Sequence, residues 1–170
     1  MKTKKAGLLL LFLFNISPWL LAGDSKPNFT GAWVLDKDKS ELGERPEGRG
    51  RPPGMLFDSL VIEHEEPKLT VKRKIKTPDG EERIREMKYT TNGKENENEG
   101  FQGMVNKSKT HWDGNTLITE AAIETPMGTM ETREIRSLSA DGLTMTVEMT
   151  TKGGPREGTR KLVFQKQEEK

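Results

Sequence analysis

The sequence predicts an all-β protein, an antiparallel up-and-down barrel of about eight to ten strands. Three observations lead there. No segment beyond residue 24 sustains a 3.6-residue apolar period. Short alternating segments recur instead, divided by Gly, Pro, Asn and Asp. The connections are short enough for hairpins, and closing such a meander removes the two exposed edges of an open sheet.

The first expected strand is Phe29 to Asp36. Residues 37–56 follow, rich in Gly, Pro and Arg, and are expected to form a flexible loop because Gly and Pro are the weakest helix formers. Ser59 to Glu65, Lys68 to Lys76 and Glu82 to Thr91 are the next strands, separated by Pro67 and by Pro78-Asp79-Gly80. Within Lys68 to Lys76, Leu69, Val71, Arg73 and Ile75 share a face opposite four lysines and Thr70, so the lysine face must lie outside. Asn92-Gly93 is a tight-turn dipeptide, and the acidic stretch Glu95 to Glu99 reads as a short strand or a loop. Met104 to Trp112 leads through Asp113-Gly114-Asn115 to Thr116 to Thr125, and Pro126-Met127-Gly128 leads to Thr129 to Leu138. In this last segment the apolar residues do not settle on one face. Asp141-Gly142 turns into Leu143 to Thr151, whose inward row is Leu143, Met145, Val147 and Met149. Thr159 to Lys166 closes the meander. The mixed interior fits a barrel with a solvated or ligand-filled cavity. It fits equally a shallow core with a frayed, polar end.

Lys2, Lys4 and Lys5 precede the apolar run Leu8 to Phe14, the pattern of a secretory signal. The run is too short for a membrane span of roughly 20 apolar residues; an uncleaved anchor is the rival reading. Residues 1–23 are expected to be removed, leaving 24–170 as one domain of about 147 residues, secreted or periplasmic. Charged residues are 32% of the chain, hydrophobic ones 31%, and mean hydropathy is −0.79, so the core is modest. Loss of the three signal lysines reduces the 28 basic residues to 25 against 27 acidic ones. That near-neutrality argues against a nucleic-acid binder. The absence of cysteine excludes disulfides, iron–sulfur clusters, thiolate zinc, cysteine nucleophiles and a lipidated cysteine. His64 and His111 are the only histidines and lack metal-ligand spacing, so no metal, haem or other cofactor is expected. No Ser-His-Asp grouping can be argued, and the chain is expected not to be an enzyme.

Asn28-Phe29-Thr30-Gly31-Ala32-Trp33 carries the Gly-x-Trp motif on the first strand. With the meander and the length, it resembles lipocalins and the wider calycin barrels. The whole mature chain is most similar to small exported bacterial lipocalin-like proteins whose function is unassigned. The resemblance implies that Trp33 plugs one end of the barrel and that Gly31 allows a close backbone approach. It also implies that a late arginine, here Arg160, stacks on the indole. The first strand also resembles that of intracellular fatty-acid-binding proteins, but Gly43 to Gly54 cannot supply their helical lid. The closing Arg160-Lys161-Leu162-Val163-Phe164 lacks their terminal Arg-x-Tyr.

Arg73 lies in an inward row, where a lone charge needs a partner. A guanidinium fork fits a carboxylate, so Arg73 is the first candidate to hold an acidic ligand. Arg133 and Arg160 are further candidates, with Tyr89, Met145 and Met149 as cavity wall; core packing is the bland alternative for these last three. The expected function is binding of a small hydrophobic or amphipathic ligand in an internal cavity. The alternative is a non-enzymatic envelope interaction or structural module with a filled barrel. No membrane span is expected in the mature chain.

Overall fold

In the computed structural model, ten antiparallel strands form one up-and-down sheet that curls into a nearly closed barrel. The structure describes residues 26–42, 58–76, 81–100, 103–125, 128–153 and 157–168. Residues 1–23, expected to be a signal, and most of the Gly/Pro/Arg-rich segment expected over 37–56 lie outside the described residues.

The strands are β1 (Gly31–Leu35), β2 (Ser59–Glu65), β3 (Lys68–Lys76), β4 (Glu82–Thr90) and β5 (Asn92–Glu99). They continue with β6 (Val105–Asp113), β7 (Thr116–Thr125), β8 (Gly128–Leu138), β9 (Thr144–Lys152) and β10 (Gly158–Lys166). The order across the sheet is β4-β3-β2-β1-β10-β9-β8-β7-β6-β5, so the first and last strands pair and the sheet wraps round. No described helix is long and apolar enough to cross a membrane.

Alternation fixes which residues face inward. On β2, Leu60, Ile62 and His64 are buried while Val61, Glu63 and Glu65 are exposed. Leu69 and Val71 of β3, Met87 and Tyr89 of β4, Met145 and Val147 of β9, and Leu162 and Phe164 of β10 join them in one cluster with Phe29, Trp33 and Leu35. Burying a Leu- or Phe-sized side chain stabilises by about 1.5–3 kcal/mol, so this cluster supplies most of the driving force. It lies toward the end of the barrel that carries the β2–β3, β6–β7 and β8–β9 turns.

Two expectations need correction. Asn92-Gly93 does not close a hairpin: Asn92 and Gly93 belong to β5, and β4 and β5 share no backbone ladder. The reason lies in the strand itself. Residues 92–99, Asn-Gly-Lys-Glu-Asn-Glu-Asn-Glu, contain no β-branched or apolar residue, and a register shift falls between Asn92 and Glu95. β5 is held by pairing with β6 on one side only. On its other side the gap to β4 is spanned by side chains. Asn98 accepts from the Lys88 N–H (2.7 Å) and donates to the Lys88 carbonyl (2.9 Å), as a backbone peptide would. Asn96 and Thr90 bond beside it. Leu143, expected in the inward row of β9, lies just before that strand and is exposed.

Candidate functional site

The plugged end is built around the first strand. Trp33 is fully buried and donates from Nε1 to the Phe29 carbonyl (3.0 Å). Gly31 has φ +148°, which side chains rarely adopt, and a Cβ there would lie 2.7 Å from Lys166 Cε. The space lets Lys166 place its ammonium 5.5 Å from the Trp33 ring centroid. The cation over the indole is therefore Lys166, not Arg160. Register explains the difference: Trp33 pairs with Lys166, whereas Arg160 pairs with Met149 toward the other end of β10.

His64 closes the same end through hydrogen bonds. The Phe29 N–H donates to His64 Nδ1 (3.3 Å), which leaves Nε2–H to donate to Glu66 (3.0 Å). Glu66 also accepts from Trp112 Nε1 and from Thr91. Burial acts to raise the Glu66 pKa, but these three donors hold it below its ordinary value. Among the described residues no three His, Asp or Glu side chains converge as metal ligands.

Above the apolar cluster lies a charged one. Glu134 on β8 is buried, and Arg73 on β3 reaches it across the lumen, with Nη2 3.2 Å from Oε1. The two strands are not neighbours in the sheet, so this contact crosses the interior. Arg136, two residues along β8 and buried, donates from Nη2 to the other Glu134 oxygen and from Nη1 to Thr119 Oγ1 (3.1 Å). Thr119 is 3.0 Å from Thr110, and the Arg136 guanidinium sits 5.9 Å from the Tyr89 ring. Burial acts to raise the pKa of Glu134, yet Arg136 and then Arg73 lower it below the usual glutamate value. Burial raises that of Tyr89. Arg73 thus faces inward as the alternation implied, and the carboxylate it holds is this chain's own.

The remaining candidates scatter. Arg133 lies on the outer face of β8 and pairs with exposed Glu120 (3.5 Å). Glu134 and Arg136 take the inward positions that flank it. Arg133 helps line a concavity of about 610 Å³ on the outside of the sheet, with Glu95, Lys107, Glu120, Glu131 and Lys152. Met145 is fully buried in the apolar cluster, beside Phe164 in the register, and Tyr89 packs there too. Met149 and Arg160 are half-buried neighbours further toward the open end.

That open half has a composition of its own. Ser108, Ala121, Thr132 and Thr151 stand side by side on the inner face across β6 to β9, a row of four small side chains. Ser108 is buried and its Oγ has no hydrogen-bond partner; neither has the buried Asn106 Oδ1 on the same strand. Buried polar atoms without partners are rare in folded proteins. Ile75, Ile123, Met130 and Met149, all partly buried and inward by alternation, surround this layer toward the open end. Sequence reasoning missed Glu134, Arg136, Ser108 and Asn106. On β8, Met130 and Leu138 mark one face and Ile135 the other, so hydrophobicity alone did not choose.

Comparison with solved structures defines the class of the fold. A REP1-NXSQ fatty acid transporter aligns with a TM-score of 0.55 at 13% identity, over 83% of this chain and 97% of that one. Secretory abundant heat soluble protein 4 from Ramazzottius varieornatus aligns with 0.53 at 22% identity, over 85% and 97%. A point mutant of the fluorescent protein UnaG aligns with 0.53 at 18% identity, over 83% and 97%. The chain therefore shares the fold of these proteins, an antiparallel up-and-down β-barrel. No protein-family model matches the sequence, and no curated protein matches it either. At these identities the likeness establishes the fold alone.

Proposed function

We propose that this protein is an exported, non-enzymatic carrier that holds one small amphipathic molecule in the open half of its barrel. The observation that carries the reading is the inner row of small side chains with Ser108 Oγ and Asn106 Oδ1 buried and unpartnered beside it. A polar head group would satisfy those atoms, and an apolar tail would lie along Ile75, Ile123, Met130 and Met149, where hydrophobic transfer supplies most of the affinity. Structural likeness to a fatty acid transporter supports the reading. The basic, then apolar, first 23 residues support export to the periplasm or medium.

Native mass spectrometry on the protein recovered from its own cell envelope tests it, with the released material identified after denaturation. The expected result is a stoichiometric, lipid-like adduct that disappears on denaturation. A clean apo mass, with no binding of added amphiphiles at micromolar concentration, would overturn the carrier reading in favour of an interaction module.

A further inference from the structure

We infer that the barrel selects amphiphiles with a neutral, hydrogen-bonding head group over ionised acids, and that Glu134 sets this choice. The inference rests on the carrier reading above and names its ligand class. Glu134 occupies the position in which a ligand carboxylate would meet the buried guanidinium groups. One of its oxygens takes Arg73, the other takes Arg136, and the second face of Arg136 is spent on Thr119. An incoming carboxylate would find Arg73 and Arg136 engaged and would face the Glu134 carboxylate, which those two guanidinium groups favour in its ionised form. Like charges brought together away from water are strongly disfavoured.

The atoms left for a ligand are of a different kind. Ser108 is 3% exposed, points inward between the exposed Lys107 and Lys109, and offers a hydroxyl that both donates and accepts. Asn106 Oδ1 is an acceptor only. An ionised acid brings acceptors alone and would leave Asn106 Oδ1 unsatisfied. A hydroxyl or primary amide brings a donor for Asn106 and an acceptor for Ser108. The small Ala121 and Thr132 next to Ser108 in the register leave the wall thin where such a head would sit. Alcohols, acylglycerols and fatty amides meet the requirement; fatty acids at neutral pH do not.

The test compares oleyl alcohol and oleamide with oleic acid at pH 8, on the full mature protein, by displacement of a fluorescent apolar probe and by native mass spectrometry. The expected result is at least about tenfold tighter binding of the neutral pair. Glu134→Gln should narrow or reverse the difference by improving the acid. Ser108→Ala, a small change at a thin wall, should weaken the alcohol and the amide several-fold and leave the acid unchanged. Thermal melts establish that each variant is folded. The wild-type preference alone decides the matter if Glu134→Gln does not fold. Equal or tighter binding of oleic acid, held for example by half-buried Arg85 of β4, which pairs with Arg73 in the register, or by Arg160, overturns this inference and leaves the carrier standing. Binding of none of the three overturns the carrier reading itself.

Discussion

Asn98 carries two of the side-chain hydrogen bonds that join the two ends of the sheet. Its amide makes two hydrogen bonds to the peptide groups of Lys88, at 2.7 and 2.9 Å, across a gap that no backbone ladder spans. Asn98→Ala removes both. Each is worth about 1 kcal/mol net, and the freed Lys88 groups lie on an edge that water can reach, so the full penalty of burying them is not incurred. The expected loss is about 2 kcal/mol. For a domain of about 150 residues that corresponds to a fall in Tm of roughly 4–8 °C. Urea unfolding followed by tryptophan fluorescence measures the free energy, and hydrogen exchange at the Lys88 amide measures the local effect. Asn98→Asp is the diagnostic companion. It keeps the acceptor for the Lys88 N–H but sets a carboxylate against the Lys88 carbonyl, so it should destabilise at least as much at pH 7. A change below about 0.5 kcal/mol for the alanine variant, with Lys88 exchange unaltered, would refute the view that this side chain closes the barrel.

Three further outcomes follow from the same structure. Trp33→Ala should cost about 3–5 kcal/mol in urea unfolding, from the cavity left and from the Phe29 carbonyl that loses its donor; a neutral result would undo the plug. Arg133→Ala should change stability by less than about 0.5 kcal/mol, because its pair with Glu120 is solvent-exposed, and a larger loss would mean the outer groove matters to the fold. Glu66 and Glu134 both titrate below the ordinary value of 4.5 when folded, so the stability they contribute is present above that value and lost as pH falls through the native one. Urea midpoints should therefore decline on acidification below about pH 4.5, less steeply in Glu66→Gln; a rise in stability on acidification would contradict the assignment.

Strands were legible wherever alternation and turn chemistry agreed. Ser59–Glu65, Lys68–Lys76 and Thr116–Thr125 form with the bounds their patterns imply, because each is flanked by Pro, Gly or Asp and carries most of its apolar residues on one face. The inward position of Arg73 was legible for the same reason: Val71 and Ile75 fix its face. β8 was not legible, since the residues that go inward at its centre are Glu134 and Arg136, and the second guanidinium that completes their cluster is Arg73, 61 positions away. No local window contains that partner. The β4–β5 gap was illegible in the opposite sense. Asn92-Gly93 has the right chemistry for a hairpin, but a hairpin also needs two strands with side chains worth packing, and β5 has only asparagine to offer on its inner face.

The Arg73–Glu134–Arg136 cluster is where fold and function make separable demands. Three charges have been taken out of water, and a buried ion-pair network is commonly no more stable than well-packed apolar residues of similar volume. If the cluster existed to hold the barrel together, hydrophobic replacement of the whole set would weaken it. If it exists to shape the head-group layer, the replacement Arg73→Met, Glu134→Leu, Arg136→Met should leave stability unchanged or raise it by about 1–4 kcal/mol. Arg136→Met alone should instead cost about 3 kcal/mol or more, since it strips Glu134 of its nearer partner and Thr119 of its donor. The triple variant should also lose discrimination between oleic acid and oleyl alcohol, because the charge that opposes the acid has gone. A triple variant that is markedly less stable than the wild type would make the cluster a structural requirement. A stable one that still rejects the acid would place the selectivity elsewhere in the barrel.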